Sequence, residues 1–300
     1  MGSEMCIRDR FNEAQIQAIQ HNTGPCMVIA GPGSGKTTVL THRVRYLIER
    51  YGVNPSDILV ITFTKAAAEQ MKLKFKGLSV GRNSAVTFGT FHAVFFTILK
   101  AAYNYSAHCI IKPQIQHEFV KDQMCRLELE YDDENEAVAG VLSEISCVKG
   151  EDVNIDEYES RCIPPQSFRI MYRAYDDMLV RKHLIDFDDM IVQCRELLMQ
   201  REDYRRAWQN KYKYILIDEF QDINKMQFDT IKLIAGESAN IFAVGDDDQS
   251  IYGFRGSKPD IMLAFKDYYS NAKIINLNVN YRCTDNIVKA ARSLIGNNSL

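Results

Sequence analysis

The sequence contains no cysteine pair with C-x-x-C spacing, although it has 8 cysteines, and its 6 histidines show no metal-ligand spacing. These absences favour reduced thiols and predict no structural zinc site. No apolar stretch approaches the roughly 18–20 residues of a membrane span, and the N-terminus lacks the basic-then-apolar pattern of a signal peptide. The sequence therefore predicts a cytoplasmic protein with no membrane partner.

An excess of positive charge is also missing, because 36 basic residues are outnumbered by 39 acidic ones. The net charge of −3 argues against coating nucleic acid through bulk charge, so any such contact must be local. Hydrophobic residues make up 46% of the 300 residues, which is typical of a globular chain long enough for two domains. Residues 1–10 show no amphipathic period, and we interpret them as a tag or an artefact of sequence assembly.

From Phe11 onward, short apolar runs alternate with helical segments, which is the signature of an α/β fold with a mostly parallel sheet and helices on both faces. The alternation stops between residues 103 and 186, where Pro113, Gly150 and the pair Pro164-Pro165 break up helical pieces. This segment is predicted to be an inserted all-α subdomain. The predicted strands are Cys26–Ala30, Ile58–Phe63, Ala85–Phe88, Tyr214–Asp218, Ile241–Gly245 and Lys273–Leu277.

A glycine-rich loop, AGPGSGKT at residues 30–37, follows an apolar strand and precedes an amphipathic helix that extends to about Arg50. This strand, loop and helix order is what a P-loop requires, although Ala30 stands where the general pattern has its first glycine. The backbone N–H groups and the helix N-terminus are suited to phosphate oxygens, Lys36 to the terminal phosphates and Thr37 to magnesium. The predicted ligand-binding residues of the loop are Gly31, Gly33, Ser34, Gly35, Lys36 and Thr37.

A second candidate element is the apolar run 214–217, which leads directly into Asp218 and Glu219. Acidic residues at the carboxyl end of a strand face the crevice where open α/β sheets bind ligands. Asp218 is predicted to hold the magnesium shell, and Glu219 to orient and deprotonate the attacking water.

Further blocks occur in a fixed order around these two elements: FNEAQ at 11–15, ITFTKAA at 61–67, GTFH at 89–92, DEFQD at 218–222, VGDDDQSIYGFRG at 244–256 and NYR at 280–282. In order and composition they resemble superfamily 1 DNA helicases of the UvrD/PcrA/Rep type. The resemblance covers essentially the whole chain after Phe11. It implies a RecA-like ATPase domain in two segments, 11–102 and 187–278, around the insert at 103–186.

The resemblance also implies that residues 279–300 begin a second RecA-like domain. The family's later motifs have no counterpart before Leu300, so a fragment or an incomplete gene model is expected. Such a chain is expected to bind ATP and magnesium weakly, to hydrolyse ATP slowly and not to unwind duplex DNA alone, because the second lobe supplies closing charge.

For the nucleotide, Gln15 resembles the glutamine that reads the adenine edge, and Tyr281 resembles the aromatic residue that stacks on adenine. Thr38 stands where many members carry an arginine on the opposite face of adenine. Gln249 resembles the residue that senses the γ-phosphate, and Arg282 resembles the arginine that neutralises its charge.

For DNA, the resemblance implies stacking of bases on aromatic side chains, which suits a protein that moves along any sequence. Taken without the family, Phe63 is as often a core residue as a DNA contact, and the run of Lys65, Lys72, Lys74 and Lys76 is as often a solvated helix face. A lone histidine such as His92 is more often structural. The predicted DNA-binding residues are Phe63, Thr64, Lys65, Thr90, His92, Tyr252, Phe254 and Arg255.

The sequence thus predicts an ATP-dependent 3′-to-5′ DNA helicase or translocase that acts in DNA repair or replication restart. Its expected partners are single-stranded DNA, duplex junctions and the second RecA-like domain, with an unknown loading partner. Two alternatives remain: the helicase portion of a RecB/AddA-like helicase–nuclease, and a nucleic-acid-binding module without catalysis. The presence of Lys36, Asp218, Glu219 and Arg282 argues against the last.

Overall fold

The computed structural model of the protein describes residues 10–78, 85–237, 240–250 and 259–295. Within these ranges, six parallel strands form one sheet in the order β3-β2-β4-β5-β1-β6. The strands are β1 (Cys26–Ala30), β2 (Ile58–Thr62), β3 (Thr87–Thr90), β4 (Tyr214–Ile217), β5 (Ile241–Gly245) and β6 (Lys273–Leu277).

The α-helices of these ranges are α1 (Glu13–Gln20), α2 (Lys36–Arg50), α3 (Lys65–Leu78), α4 (Phe91–Ala102), α5 (Pro113–Arg126), α6 (Glu134–Glu151), α7 (Pro165–Arg181), α8 (Phe187–Gln200), α9 (Glu202–Lys211), α10 (Lys225–Ala235), α11 (Pro259–Leu263), α12 (Phe265–Tyr268) and α13 (Asp285–Ile295). Among the described helices, none combines the length and the apolar character that crossing a membrane requires.

Successive residues of the central strands belong to different hydrophobic cores, because neighbouring side chains of a strand point to opposite faces. Met27 of β1 packs with helices α4, α8, α9 and α10, whereas Val28 packs with α1, α2 and α3. Both faces of the sheet are thus covered by helices. This confirms the predicted α/β fold with a parallel sheet between two helical layers, consistent with a RecA-like domain.

Three strand ends differ from the prediction. Strand β2 ends at Thr62, because Phe63 leaves the ladder and packs its ring against the core, 5.9 Å from the ring of Phe91. Strand β3 is Thr87–Thr90, since its pairing with β2 continues until Thr90 caps the next helix. Strand β4 ends at Ile217, because Glu219 turns the backbone into the left-handed region.

The segment predicted as the insert contains helices α5, α6 and α7, which share a third hydrophobic core of their own around Val120, Val141 and Phe168. Where the chain enters and leaves this segment, two stretches run side by side: Ile111 N donates to Ile185 O at 2.9 Å, and Ile185 N donates to Cys109 O at 2.7 Å. The division of the chain at residues 103, 187 and 279 remains a prediction.

Candidate nucleotide-binding and DNA-binding site

The P-loop connects β1 to α2 at the carboxyl edge of the sheet. Gly33 and Gly35 have φ angles of 72° and 90°, a region that side chains rarely adopt. A Cβ at Gly33 would also lie 2.7 Å from Asn280 Oδ1, so this position has no room for a side chain. Gly35 caps α2 without any side-chain hydrogen bond, which leaves the first N–H groups of the helix available to an anion.

Lys36 begins α2, and its ammonium group faces the ends of β4 and β5. Its Nζ lies 3.5 Å from Glu219 Oε2, 3.9 Å from Asp246 Oδ2 and 3.5 Å from Gln249 Oε1. Tight charge-assisted hydrogen bonds measure about 2.7–2.9 Å, so these contacts are loose. The structure therefore brings predicted residues of three sequence blocks together around an ammonium group that can still engage phosphate.

Two carboxylates beside Lys36 are buried with an unsatisfied oxygen. Among the residues that the structure describes, Asp218 Oδ1 and Asp222 Oδ1 have no hydrogen-bond partner. Burial, and then the charge of Glu219, raise the pKa of Asp218 to about 7 and that of Asp222 to about 6, although Lys36 lowers both. A buried oxygen without a partner is costly, and a hard cation such as magnesium would satisfy it.

Gln15, the residue predicted to read the adenine edge, is buried, and both ends of its side-chain amide are hydrogen-bonded. Nε2 donates to Ser34 O of the P-loop at 2.9 Å, and Oε1 accepts from Asn12 N at 3.1 Å in a capping box. Tyr281 is 59% exposed, and its hydroxyl accepts a 2.8 Å hydrogen bond from Asn12 Nδ2. The beginning of α1 therefore connects the P-loop to the predicted adenine-stacking ring.

Asn280 was not singled out by the sequence analysis, yet it joins the segment after β6 to the P-loop. Its Nδ2 donates to Pro32 O at 2.7 Å, and its Oδ1 accepts from the backbone N–H groups of Arg282 and Cys283. Tyr281 N also donates to Gly33 O at 2.9 Å. Arg282 is thereby held next to the loop with an exposed side chain, and Thr38 on α2 is exposed as well.

The loop after β2 carries the first group of predicted DNA-binding residues. Phe63 is half-buried, so one part of its ring supports the core. Thr64 is exposed, and its hydroxyl accepts from Ala67 N at the start of α3. Lys65 is 88% exposed, and its ion pair with Glu69 is long at 3.9 Å, which leaves its charge accessible to a phosphate.

The second group lies at the start of α4. Thr90 caps this helix through a hydrogen bond from Ala93 N, a structural role that the sequence analysis did not assign to it. His92 packs edge-on against Phe187, with ring centroids 5.3 Å apart, and burial lowers the pKa of its imidazole. Phe187, which sequence reasoning missed, is 53% exposed and presents an aromatic ring beside this group.

The remaining predicted DNA-binding residues, Tyr252, Phe254 and Arg255, lie outside the described residues.

Comparison with known proteins adds an independent finding. Residues 11–270 match the model of the UvrD/REP helicase N-terminal domain family. The chain is 36% identical over 297 residues to the ATP-dependent DNA helicase Rep of Escherichia coli, with 96% of this chain and 44% of that protein covered.

Similar values relate the chain to two further bacterial proteins. It is 36% identical to the putative ATP-dependent DNA helicase YjcD of Bacillus subtilis, with 96% of this chain and 38% of that protein covered. It is 35% identical to the ATP-dependent DNA helicase PcrA of Staphylococcus epidermidis, with 96% of this chain and 40% of that protein covered. The chain thus spans less than half the length of these relatives. On the match over residues 11–270, the chain belongs to the UvrD/REP helicase N-terminal domain family.

Proposed function

We propose that this chain is the ATP-binding motor portion of an ATP-dependent 3′-to-5′ DNA helicase or translocase. It hydrolyses ATP with magnesium, binds single-stranded DNA and duplex junctions, and acts in the cytoplasm in DNA repair or replication restart. The names of the relatives support ATP and DNA as the ligands. The observation that carries the proposal is the placement of Lys36 between an uncapped helix N-terminus and the acidic ends of β4 and β5.

In this proposal the nucleotide is held by the P-loop, with its phosphates on the N-terminus of α2 and its terminal phosphate against Lys36. Asp218 and Thr37 would hold magnesium, and the unsatisfied Oδ1 of Asp218 fits that role. Bound magnesium would neutralise charge on the phosphate oxygens.

The remaining polar groups act on the γ-phosphate and on water. Glu219, which is 38% exposed at the edge of the site, accepts the proton of the attacking water. Gln249 and Arg282 contact the γ-phosphate, one as a sensor and the other as a positive charge that stabilises the transition state. Phe63 and Lys65, on the loop after β2, hold DNA by a base and by a phosphate.

Two substitutions test the ATP site. Lys36→Ala should abolish binding of a fluorescent ATP analogue, because the cation facing the terminal phosphates is lost. Glu219→Gln should keep the binding but reduce phosphate release by about 10²–10⁴-fold, the usual contribution of a general base. Lys213→Ala is a matched control, since Lys213 precedes β4 at the opposite edge of the sheet and pairs with Asp57.

Parental phosphate release by Lys36→Ala, with an unchanged circular dichroism spectrum, would contradict the P-loop assignment. Loss of binding and turnover together in Glu219→Gln would make Glu219 a metal or structural residue. The direction of movement is tested on the complete protein by strand displacement, where unwinding of duplexes with a 5′ tail only would contradict the proposed polarity.

A further inference from the structure

Gln221, in the DEFQD block, has no role in the mechanism so far, yet it is one of the most enclosed polar residues of the site. Its side chain is 2% exposed. The amide nitrogen Nε2 donates to Glu219 Oε2 at 2.9 Å and lies 3.4 Å from Asp222 Oδ2. The amide oxygen Oε1 accepts from Asp246 N at 3.0 Å. A single amide thus bridges the end of β4 and the end of β5.

The network fixes which way this amide points. Only the oxygen can accept from the backbone N–H of Asp246, so the nitrogen must face the carboxylate of Glu219. Gly245 makes the approach possible, since a Cβ at this position would lie 2.9 Å from Gln221 Oε1 and 3.1 Å from Gln221 N. The backbone of β5 is therefore shaped to receive this side chain.

Glu219 needs such support because two groups engage the same oxygen. Lys36 Nζ lies 3.5 Å from Glu219 Oε2, the atom that also accepts from Gln221. A phosphate that binds Lys36 competes with Glu219 for the ammonium group. The amide of Gln221 carries no charge that would attract the phosphate, so its hydrogen bond to Glu219 is retained. The backbone of Glu219 is moreover in the left-handed region, with φ of 52°, which a non-glycine residue adopts only when its surroundings hold it.

The same amide connects Glu219 to the predicted γ-phosphate sensor. Asp246 gives its backbone N–H to Gln221, and its carboxylate accepts a hydrogen bond from Gln249 Nε2. A shift of Gln249 towards a bound phosphate is therefore passed through Asp246 to the group that holds Glu219.

We propose that Gln221 is the positioning residue of the water-handling carboxylate: it holds Glu219 in place when Lys36 engages phosphate, and it links that position to Asp246 and Gln249. The inference rests on the proposed function. Gln221 acts through Glu219 and touches neither water nor nucleotide itself.

The test uses Gln221→Met, which keeps the length and removes both hydrogen bonds, and Gln221→Glu, which replaces the donor by a charge facing Glu219. Phosphate release is measured under single-turnover conditions with the chain in excess over ATP. Both variants should lower the rate by about 10–100-fold, as expected for a misplaced catalytic group, and affinity for a fluorescent ATP analogue should stay within about 3-fold. Gln227→Met is the matched control, because Gln227 is also buried, at 5% exposure, and its side-chain oxygen accepts from Asn224 N in the cap of α10.

A double variant distinguishes positioning from structural damage. In a Glu219→Gln background, Gln221→Met should cause no further loss, because the residue it positions is already inactive. The inference would be overturned if Gln221→Met lowered the rate of phosphate release equally in both backgrounds, or if it left the rate at the parental value. It would also be overturned if the loss of rate followed a loss of ATP affinity and of the unfolding midpoint. Parental turnover of Glu219→Gln would remove the proposed role of Glu219, and this inference with it, while ATP binding at Lys36 would stand.

Discussion

Lys149 is buried and Lys36 is partly buried, both lie in acidic surroundings, and their contacts differ. Lys149, on α6, is 5% exposed, and its Nζ lies 2.7 Å from Asp189, 2.9 Å from Asp186 and 3.1 Å from Asp176. Lys36 is 12% exposed, and its nearest carboxylate and amide oxygens are 3.5 Å away.

The difference separates a structural cluster from the candidate binding site. The carboxylates around Lys149 come from α7 and from the capping box that begins α8, so this lysine on α6 joins three helices through short contacts. Beside Lys36, in contrast, Asp218 and Asp222 each retain a buried oxygen that has no partner within the described part of the chain. A short-range, saturated charge cluster stabilises packing, whereas a loose and unsatisfied one is suited to a ligand.

The largest expected effect is on stability, and it comes from replacing Lys149, whose ammonium group has three close carboxylates. Lys149→Met should lower the free energy of unfolding by about 3–5 kcal/mol, because it leaves the carboxylates of Asp186 and Asp189, which are little exposed, without their cation. Lys36→Met should change it by less than about 1 kcal/mol, since its ion pairs are long and a partner is partly exposed. Urea denaturation of both variants measures the difference.

The two variants should behave in the opposite way towards ATP. A fluorescent ATP analogue should bind Lys149→Met at a temperature where that variant is folded, and should not bind Lys36→Met. Equal destabilisation by the two substitutions would show that the two clusters are not distinguished by their N–O distances or by the hydrogen bonding of their buried carboxylate oxygens.

A smaller effect is expected on DNA, at the same edge of the sheet as Lys36. Phe63→Ala should weaken binding of single-stranded DNA by about 1–3 kcal/mol with little dependence on base sequence, because a stacking surface is lost. Phe63→Leu keeps most of the packing against Phe91 and should lose the DNA affinity but little stability. Fluorescence anisotropy measures the affinities.

Tyr51→Ala is the control for this measurement, because Tyr51 is an exposed aromatic residue at the far end of α2 from the P-loop. Unchanged DNA affinity in both Phe63 variants would assign this ring to the core alone.

The sequence was sufficient to locate the six strands of the described sheet, whereas the roles that it assigns to residues of the candidate site remain predictions. The bounds of Cys26–Ala30, Ile241–Gly245 and Lys273–Leu277 agree with the structure, because each is a compact apolar run followed by a turn. Strand ends such as Phe63 were missed, since a tertiary contact decides whether the chain stays in the ladder.

Contacts between distant residues could not be predicted from local pattern. Gln221 and Asp246 are 25 residues apart, and Lys149 and Asp186 are 37 residues apart. The first pairing depends on the order of the strands in the sheet, and the second depends on how α6 packs against the beginning of α8. A lysine at the end of a helix looks solvated in the sequence, and only its burial shows that it is structural.

The smallest expected effect is on the pH dependence of stability, and it arises next to the carboxylate cluster around Lys149. Asp188 lies beside it, and burial, followed by the charge of Asp186, raises the pKa of its carboxyl to about 7, although a hydrogen bond from Ser146 and the charge of Lys149 oppose the shift. The folded state therefore retains a proton that the unfolded state, with an ordinary pKa near 3.8, has already released. This contribution to stability is complete below about pH 4 and is lost as pH rises towards 7.

Asp188→Asn should remove that dependence, because an amide resembles the protonated acid and does not titrate. Between pH 5 and 6, the parent should lose on the order of 1 kcal/mol more of its unfolding free energy than the variant. Urea denaturation at three pH values measures both slopes, and Asp177→Asn on the exposed face of α7 serves as control. Because Asp188 lies beside the cluster of Lys149, its contribution to the pH dependence of stability should persist with ATP and magnesium present. The contribution of Asp218, whose pKa is also raised, should disappear when magnesium holds its carboxylate. Equal slopes for parent and Asp188→Asn would show that the acidic groups around Lys149 are ionised throughout this range.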